Sequence, residues 1–243
     1  MGRLRRFVIA GLASVTALVT AVVLLSRGPF AGPRVDYSHV PSIAHMSTYQ
    51  DPDLLARAFN LPVAARYRDG IEYQQNISMC GPTSVANILR SLGVPADQKG
   101  ALSGTETTTV LGYLPAGLSL DRLARIAQHN LDRHADRIPA SGVRRVTVLR
   151  DLDLAAFRAE IAHANDLGRR YILNFHRGPL FGRGGGHHSP IAGYLADRDL
   201  VLVLDVNVKF RPWLVPTDRL FSATDTVDFA TQKKRGLIRI ELD

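Results

Sequence analysis

The sequence predicts an α+β domain in which a helical lobe faces an antiparallel sheet. Segments with helical periodicity occupy the first part of the chain, and short β-branched and aromatic runs follow Gly168. The composition agrees, since 46% apolar and 21% charged residues over 243 positions are typical of one globular domain. We divide the chain into an N-terminal signal anchor (1–27), a linker (28–50) and a domain (51–243).

An uncharged segment of 20 residues, Phe7 to Ser26, precedes the domain and would be about 30 Å long as a helix, enough to cross a membrane. The basic residues before it favour an N-terminus that stays in the cytoplasm. We expect an uncleaved anchor that holds the domain on the periplasmic or outer side of the cytoplasmic membrane. The alternative is cleavage and secretion, although only a weak cleavage site is present, at 30–32.

The charge balance argues against nucleic acid as a partner. The chain carries 30 Lys and Arg against 22 Asp and Glu, a formal net charge of +8. Four of these arginines flank the apolar segment, so the net charge from Gly28 onward is only +4. Part of the basic excess that raises the pI therefore belongs to a targeting signal, which weakens the case for nucleic-acid binding. The sequence leaves open whether the protein forms a homodimer.

Apolar spacing and capping residues predict four helices. Their expected positions are a short helix after Asp51, a helix from Cys80 to Gly93, a helix after Ser119, and a helix from Asp151 to Gly168. The second helix has a proline in its first turn, which suits a helix N-terminus, so Cys80 is expected to be its first residue.

Four strands are predicted from β-branched and aromatic runs between turn signals. They are Tyr171 to Phe175, Ser189 to Tyr194, Leu200 to Val206 and Leu237 to Leu242. With helices first and strands second, an active site is expected in the cleft between the helical lobe and the sheet.

The single cysteine, Cys80, has no partner for a disulfide within the chain. At a helix N-terminus the helix dipole stabilises a thiolate, so we expect Cys80 to be a nucleophile. His187, in a Gly-rich stretch, is the predicted base, and Asp205, in an apolar run, is its predicted carboxylate partner. The chain order of cysteine, histidine and carboxylate is that of papain-like acyl-transfer enzymes.

The strand register decides whether His187 and Asp205 meet. A hairpin centred on Ala196 would place them opposite each other on one face, whereas one centred on Arg198 would pair Asp205 with Ile191. The sequence does not choose between these registers. Because neighbouring residues of a strand face opposite sides, a packed or exposed ring is expected at position 188, pointing away from the cleft.

An oxyanion hole is predicted beside the nucleophile. Gln74 lies six residues before Cys80, and its amide could act together with the backbone N–H of Cys80. Only this six-residue spacing selects Gln74 over Gln75.

Two stretches carry a resemblance to a known family. Residues 74–89, QQNISMCGPTSVANIL, and residues 175–240, which contain GHHSPIAGY followed by LDV, resemble the catalytic domain of phytochelatin synthases. The resemblance extends from near Tyr67 to the C-terminus. It implies a papain-like cysteine protease fold. The site residues it implies are the triad Cys80, His187 and Asp205, the oxyanion donor Gln74, and Asp228 and Arg235, which match positions that hold the γ-glutamyl end of the substrate.

The resemblance also implies a reaction, that of a glutathione γ-glutamylcysteinyltransferase of heavy-metal detoxification. Cys80 would cleave the Cys–Gly bond of glutathione and form a γ-glutamylcysteinyl thioester. A second glutathione or another γ-glutamyl peptide would accept the acyl group, or water would release γ-glutamylcysteine. No cofactor is expected to be required by the protein, and Cd²⁺ or Zn²⁺ would act as a thiolate complex of the acceptor glutathione.

A metal site in the protein itself is not predicted, since no cysteine or carboxylate has suitable ligand spacing around His176, His187 and His188. The chain departs from the eukaryotic pattern in lacking a Cys-rich C-terminal region and in the shifted positions of Lys209 and Arg211. These departures favour a larger share of hydrolysis. The alternatives are a thiol hydrolase of glutathione or larger peptides without a transferase role, and a non-catalytic glutathione-binding module.

Overall fold

The structure of the protein, a computed structural model, describes residues 35–68, 70–115, 117–138 and 144–242. The chain divides into two compact units at Asp36, and the elements below belong to the second. The anchor predicted over Phe7 to Ser26 lies outside the described residues. Within the described part of the chain, none of the helices has the length and apolar character needed to span a bilayer.

Three helices come first along the described chain, and the strands follow with three further helices between them. The helices are α1 (Pro52–Phe59), α2 (Cys80–Ser91), α3 (Leu120–Arg133), α4 (Leu154–Ala162), α5 (Gly178–Phe181) and α6 (Thr217–Thr224). The strands are β1 (Arg144–Leu149), β2 (Arg169–His176), β3 (Gly186–Leu195), β4 (Leu200–Leu204), β5 (Pro212–Pro216), β6 (Val227–Asp228), β7 (Lys233–Lys234) and β8 (Gly236–Leu242).

The helix starts follow the capping residues that the sequence offers. Asp51 accepts a hydrogen bond from the backbone N–H of Leu54 at the start of α1, and Ser119 caps α3 in the same way. The predicted limits of α4 are wrong. Asp153 rather than Asp151 provides the cap, and the helix ends at Ala162, well before Gly168.

The main sheet has six strands in the order β1-β8-β2-β3-β4-β5, and every neighbouring pair is antiparallel. The predicted mixture of helices and antiparallel sheet is confirmed. The prediction of a single helical lobe followed by strands is incomplete, because β1 precedes α4 and helices cover both faces of the sheet.

Each face of the sheet carries its own core, since side chains alternate along a strand. On β2, Ile172 faces α1, α2 and α3, whereas Tyr171, Leu173 and Phe175 face α4, α5 and α6. We call the first the α2 face and the second the α6 face.

The region predicted to be a linker is partly folded. Within residues 37–50, Ile43 is fully buried and Tyr49 stacks on Trp213, with 6.3 Å between ring centroids. The carbonyl oxygen of Tyr49 also accepts a hydrogen bond from the backbone N–H of Leu214 on β5. These residues therefore belong to the core of the α6 face.

Candidate active site

Cys80 is the first residue of α2, as predicted from the sequence. The residue before it, Met79, makes no side-chain capping hydrogen bond. The first-turn N–H groups of a helix have no partner within the helix, so they can stabilise negative charge at this end. The α2 N-terminus is therefore suited to a thiolate on Cys80 and to an oxyanion beside it.

Two histidine rings approach the Cys80 thiol. His188 Nδ1 lies 3.8 Å from Cys80 Sγ, and His187 is close enough to lower the pKa of the thiol. Burial alone would raise the pKa of the thiol, but the interactions with His187 and His188 outweigh it and hold the pKa well below its usual value. These surroundings therefore favour the thiolate form of Cys80 over the thiol.

His187 is oriented by Asp205. His187 Nε2 donates to Asp205 Oδ1 at 3.0 Å, which leaves Nδ1 for the thiol. Burial and the charge of Arg177 act to lower the pKa of His187, but Asp205 and Cys80 raise it above its ordinary value. A raised imidazole pKa beside a lowered thiol pKa favours a thiolate–imidazolium pair.

Asp205 is fully buried, and its negative charge is compensated by three donors besides His187. Arg177 Nη2 donates to Oδ1 at 2.9 Å and lies 2.8 Å from Oδ2. Trp213 Nε1 donates to Oδ2 at 3.1 Å, and the backbone N–H of Asn207 donates to Oδ1 at 2.9 Å. Burial would raise the pKa of Asp205, but the charges and hydrogen bonds of His187 and Arg177 lower it to about 2.

Sequence reasoning did not assign Arg177 or Trp213 to the site. Arg177 is 7% exposed, and its guanidinium carbon lies 3.8 Å from the ring centroid of Phe210. One signal was available: an arginine within the apolar run FHRGPLF, which costs free energy to bury without an anionic partner. The single tryptophan gave no such signal.

A β-bulge decides which histidine meets Asp205. Near the β3–β4 turn the register pairs Leu195 with Leu200, but beyond the bulge it pairs Ile191 with Val203. Neither of the two registers considered from the sequence occurs. Extended to Asp205, the bulged register aligns this residue with Ser189, on the same face as His187. Without the bulge, Asp205 would align with position 190 and share a face with His188.

His188 differs from the sequence expectation. It does face the opposite side of the sheet from His187, because it pairs with Asn174 on β2 while His187 pairs with Phe175. That opposite side is the α2 face, which carries the helix that begins at Cys80. The His188 ring therefore reaches the thiol, and His188 is only 4% exposed.

Gln74 lies in a segment that runs beside α2 toward Asp205. Its backbone N–H donates to the carbonyl oxygen of Val206 at 2.8 Å. The segment is held by Asn87, which exchanges two hydrogen bonds with the backbone of Glu72. The Gln74 side-chain oxygen is buried and has no partner among the described residues, whereas Gln75 is exposed.

Asp228 and Arg235 also come together. Arg235 Nη2 lies 3.7 Å from Asp228 Oδ1, and Arg235 is 8% exposed. A Cβ atom on Gly186 would meet the Arg235 guanidinium at 2.5 Å, so glycine permits this arginine to lie directly beside the start of β3. The burial of Arg235 lowers its pKa, while the nearby charges of Asp228 and Cys80 act to raise it.

Two further basic residues were singled out in the sequence, in the stretch that follows Asp205. Lys209 and Arg211 are exposed on the loop that follows Asp205. Among residues 35–242, apart from those not described, no three His, Cys, Asp or Glu side chains are grouped so as to hold a metal ion.

The chain matches curated relatives over part of its length. It is 47% identical over 73 residues to glutathione gamma-glutamylcysteinyltransferase 3 of Lotus japonicus, covering 30% of this chain and 15% of that protein. It is 46% identical over 70 residues to glutathione gamma-glutamylcysteinyltransferase 1 of Arabidopsis thaliana, covering 28% and 14%. The matched part is thus about a seventh of each relative's length.

The chain also matches solved structures over part of its length. A C39-like peptidase from Bacillus anthracis has a TM-score of 0.49 at 13% identity, over 72% of this chain and 96% of that one. The peptidase domain of Streptococcus ComA has a TM-score of 0.45 at 12% identity, over 71% and 97%.

The family comparison extends over much more of the chain. The family model described as phytochelatin synthase matches residues 41–237. This range includes Cys80, His187 and Asp205 and begins within the folded segment before α1. The chain therefore belongs to the phytochelatin synthase family.

Proposed function

We propose that this protein cleaves the Cys–Gly peptide bond of glutathione and transfers the γ-glutamylcysteinyl group to a second glutathione or to water. The observation that carries this proposal is the cluster of Cys80 at a helix N-terminus, His187 near its thiol, and the buried Asp205 hydrogen-bonded to His187. Glutathione as the substrate is supported by the names of the curated relatives. A papain-like fold, with the cysteine helix packed on the sheet that carries histidine and aspartate, belongs to the same proposal.

In the first half of the reaction, the Cys80 thiolate attacks the carbonyl carbon of the cysteinyl residue of glutathione. His187, protonated on Nδ1, gives its proton to the nitrogen of the departing glycine as the C–N bond breaks. Asp205 stabilises the imidazolium through Nε2. The products are free glycine and a γ-glutamylcysteinyl thioester on Cys80.

In the second half, the neutral His187 takes a proton from the amine of the acceptor, or from water, as that group attacks the thioester. The bond between the acyl carbon and Cys80 Sγ breaks, and the thiolate is restored. An amine acceptor gives a lengthened γ-glutamyl peptide, and water gives γ-glutamylcysteine.

We assign the γ-glutamyl end to Asp228 and Arg235. The α-ammonium group of the substrate suits the Asp228 carboxylate, and the α-carboxylate suits the Arg235 guanidinium. The Nε of Arg235 is buried without a hydrogen-bond partner among the described residues, which supports a ligand at this position.

The proposal is tested by trapping the intermediate. The protein is mixed with glutathione, and the reaction is quenched in acid within seconds. The mass of the intact protein is then measured by mass spectrometry. A mass increase of one γ-glutamylcysteinyl group, located on the peptide that contains Cys80, is expected. Glutathione binding without any acyl-enzyme would instead indicate a binding module. An acyl-enzyme that yields only γ-glutamylcysteine at every glutathione concentration would indicate a hydrolase.

The oxyanion hole gives a separate prediction. Gln74→Ala is expected to lower kcat by about 10²-fold or more with little change in KM, because the charge on the oxyanion develops only in the transition state. Initial rates of glycine release measure both constants. Gln75→Ala is the matched control, since Gln75 is exposed and only its backbone N–H is bonded, to Gln98. Similar rates in the two variants would remove Gln74 from this role.

Metal is proposed to act through the acceptor, as a Cd²⁺ or Zn²⁺ thiolate of glutathione. Such a complex presents a blocked thiol and a free amine. S-methylglutathione without added metal is therefore expected to give chain-lengthened product, measured by mass spectrometry alongside γ-glutamyl-S-methylcysteine. If transfer occurs only with Cd²⁺ and glutathione, a blocked thiol is not sufficient, and direct binding of metal to the protein becomes the better explanation.

We also propose that Phe7 to Ser26 anchors the protein, with the domain outside the cytoplasm. When the full chain is produced in a Gram-negative host, protease added to spheroplasts is expected to digest the domain. A cytoplasmic marker protein in the same sample provides the control. Equal protection of the domain and the marker would contradict this topology.

A further inference from the structure

The cluster around Cys80 contains a second histidine that the proposed reaction does not use. His188 Nδ1 lies 3.8 Å from Cys80 Sγ, and His188 Nε2 lies 2.9 Å from Asn174 Nδ2. His188 is 4% exposed and Asn174 is 1% exposed. Both nitrogens of this buried ring are therefore engaged by protein atoms.

The proton on His188 can be located from the next contact. Arg235 Nη1 donates to Asn174 Oδ1 at 2.7 Å. A guanidinium only donates hydrogen bonds, so Arg235 holds the Asn174 oxygen toward itself and the amide nitrogen toward His188. That amide N–H donates to His188 Nε2, which therefore carries no proton. The neutral ring then carries its proton on Nδ1, the nitrogen that faces Cys80.

We propose that Arg235, Asn174 and His188 form a second relay, which holds a hydrogen-bond donor against the Cys80 thiolate. The inference rests on the proposed role of Cys80 as the nucleophile. His188 is a catalytic residue here because it contacts the reacting sulfur, and Asn174 is a positioning residue that sets the tautomer. His188 cannot act as the general base, because its basic nitrogen already accepts from Asn174.

The two histidines therefore have different tasks. His187 exchanges protons with the leaving glycine and the acceptor, while His188 stabilises the sulfur anion without giving up its proton. A donor to the thiolate assists twice: it favours the thiolate before attack, and it stabilises the same thiolate when it leaves the thioester. The relay thus supports the transfer half of the reaction as well as the cleavage half.

Other charged groups near the thiol do not replace this donor. Those that face the cluster are His187 on β3, Asp205 after β4, Arg177 after β2, Asp228 on β6, Arg235 before β8, and His176 at the end of β2. Asp205 is already paired with Arg177 and His187, and Arg235 with Asp228. Loss of His188 should therefore change the titration of Cys80 while the His187–Asp205 pair stays in place.

The test measures the thiol directly and needs no glutathione. Cys80 is the single cysteine of the chain, so alkylation by iodoacetamide reports on this residue alone. The pH dependence of the alkylation rate is measured for the wild type, for His188→Phe, which fills the ring volume without a donor, and for His188→Asn, whose amide N–H lies near the position of Nδ1. Circular dichroism confirms that each variant is folded.

His188→Phe is expected to raise the pH midpoint of alkylation by about one unit, the usual effect of losing one charge-assisted hydrogen bond. His188→Asn should recover at least half of that shift. Asn174→Ala should shift the midpoint in the same direction but less, because the proton on His188 is then free to occupy either nitrogen.

Unchanged midpoints in His188→Phe and Asn174→Ala would overturn the relay, as would a His188→Asn profile identical to that of His188→Phe. Because the assay contains no substrate, this failure is distinct from failure of the proposed function, which would appear as the absence of an acyl-enzyme in the wild type.

Discussion

Cys80→Ser is expected to abolish glycine release from glutathione, with a loss of at least about 10³-fold. The expected loss follows from the difference in acidity between the cysteine thiol and the serine hydroxyl. The surroundings of Cys80 hold the thiol pKa well below its usual value, because the interactions with His187 and His188 outweigh burial. A serine hydroxyl is far less acidic, and the same surroundings cannot maintain it as an alkoxide.

The measurement combines two readouts on the same variant. Glycine release is followed by chromatography, and the acyl-enzyme is sought by intact mass after an acid quench. Ser84→Ala is the matched control, because Ser84 lies one turn further along α2 and its hydroxyl bonds only to the carbonyl oxygen of Cys80. It should retain most of the activity. Residual activity above about a tenth of wild type in Cys80→Ser would remove Cys80 from the role of nucleophile.

Asp205→Asn is expected to lower kcat by about 10³- to 10⁴-fold while preserving the shape of the site. An asparagine amide can donate to His187 Nε2 and so move the ring proton to Nδ1 of the neutral imidazole. That tautomer cannot take a proton from the acceptor. The substitution also leaves Arg177, only 7% exposed, without its carboxylate partner.

The same substitution should reduce stability, by about 3–5 kcal/mol if the buried Arg177 charge is left uncompensated. Because the pKa of Asp205 is lowered to about 2, the charged carboxylate contributes stability above the ordinary pKa near 3.8, and this contribution is lost as the pH falls through about 2. The free energy of unfolding, measured with urea, should therefore differ most between wild type and variant at neutral pH. This difference should become smaller as the pH is lowered.

Asp197→Asn is the control for Asp205→Asn. Asp197 pairs with Arg57 at 2.9 Å, but both side chains are more than half exposed. Because solvent screens this exposed pair, breaking it should change the free energy of unfolding far less than Asp205→Asn does. Activity of Asp205→Asn within tenfold of wild type would show that His187 does not need the carboxylate.

Much of the local structure could be predicted because it depends on neighbours in the chain. The caps at Asp51 and Ser119 define where α1 and α3 begin, and Cys80 starts α2 as expected. Apolar alternation and β-branched runs located β2, β3, β4 and β8. These signals also placed the thiol at the positive end of a helix, which is the basis of its proposed chemistry.

Elements with weak local signals were missed. Strand β1 contains three polar residues, two of them arginines, among six, and β5 is bounded by prolines at both ends. Their pairing with β8 and β4 stabilises them, and that pairing depends on residues far away in the chain. The short helices α5 and α6 likewise depend on packing against the α6 face.

The sequence by itself placed Cys80 at the start of α2, and it predicted Cys80 as the nucleophile with His187 and Asp205 as its partners, through their order and the resemblance. Only the tertiary structure decided on which face of the sheet each of the two histidines lies relative to the thiol. The bulge between Ile191 and Gly193 turns Asp205 to the face of His187, and the packing of α2 on the other face brings Cys80 to His188. A one-residue change of register reverses every side chain of a strand, so tertiary packing rather than the local sequence pattern selected these contacts.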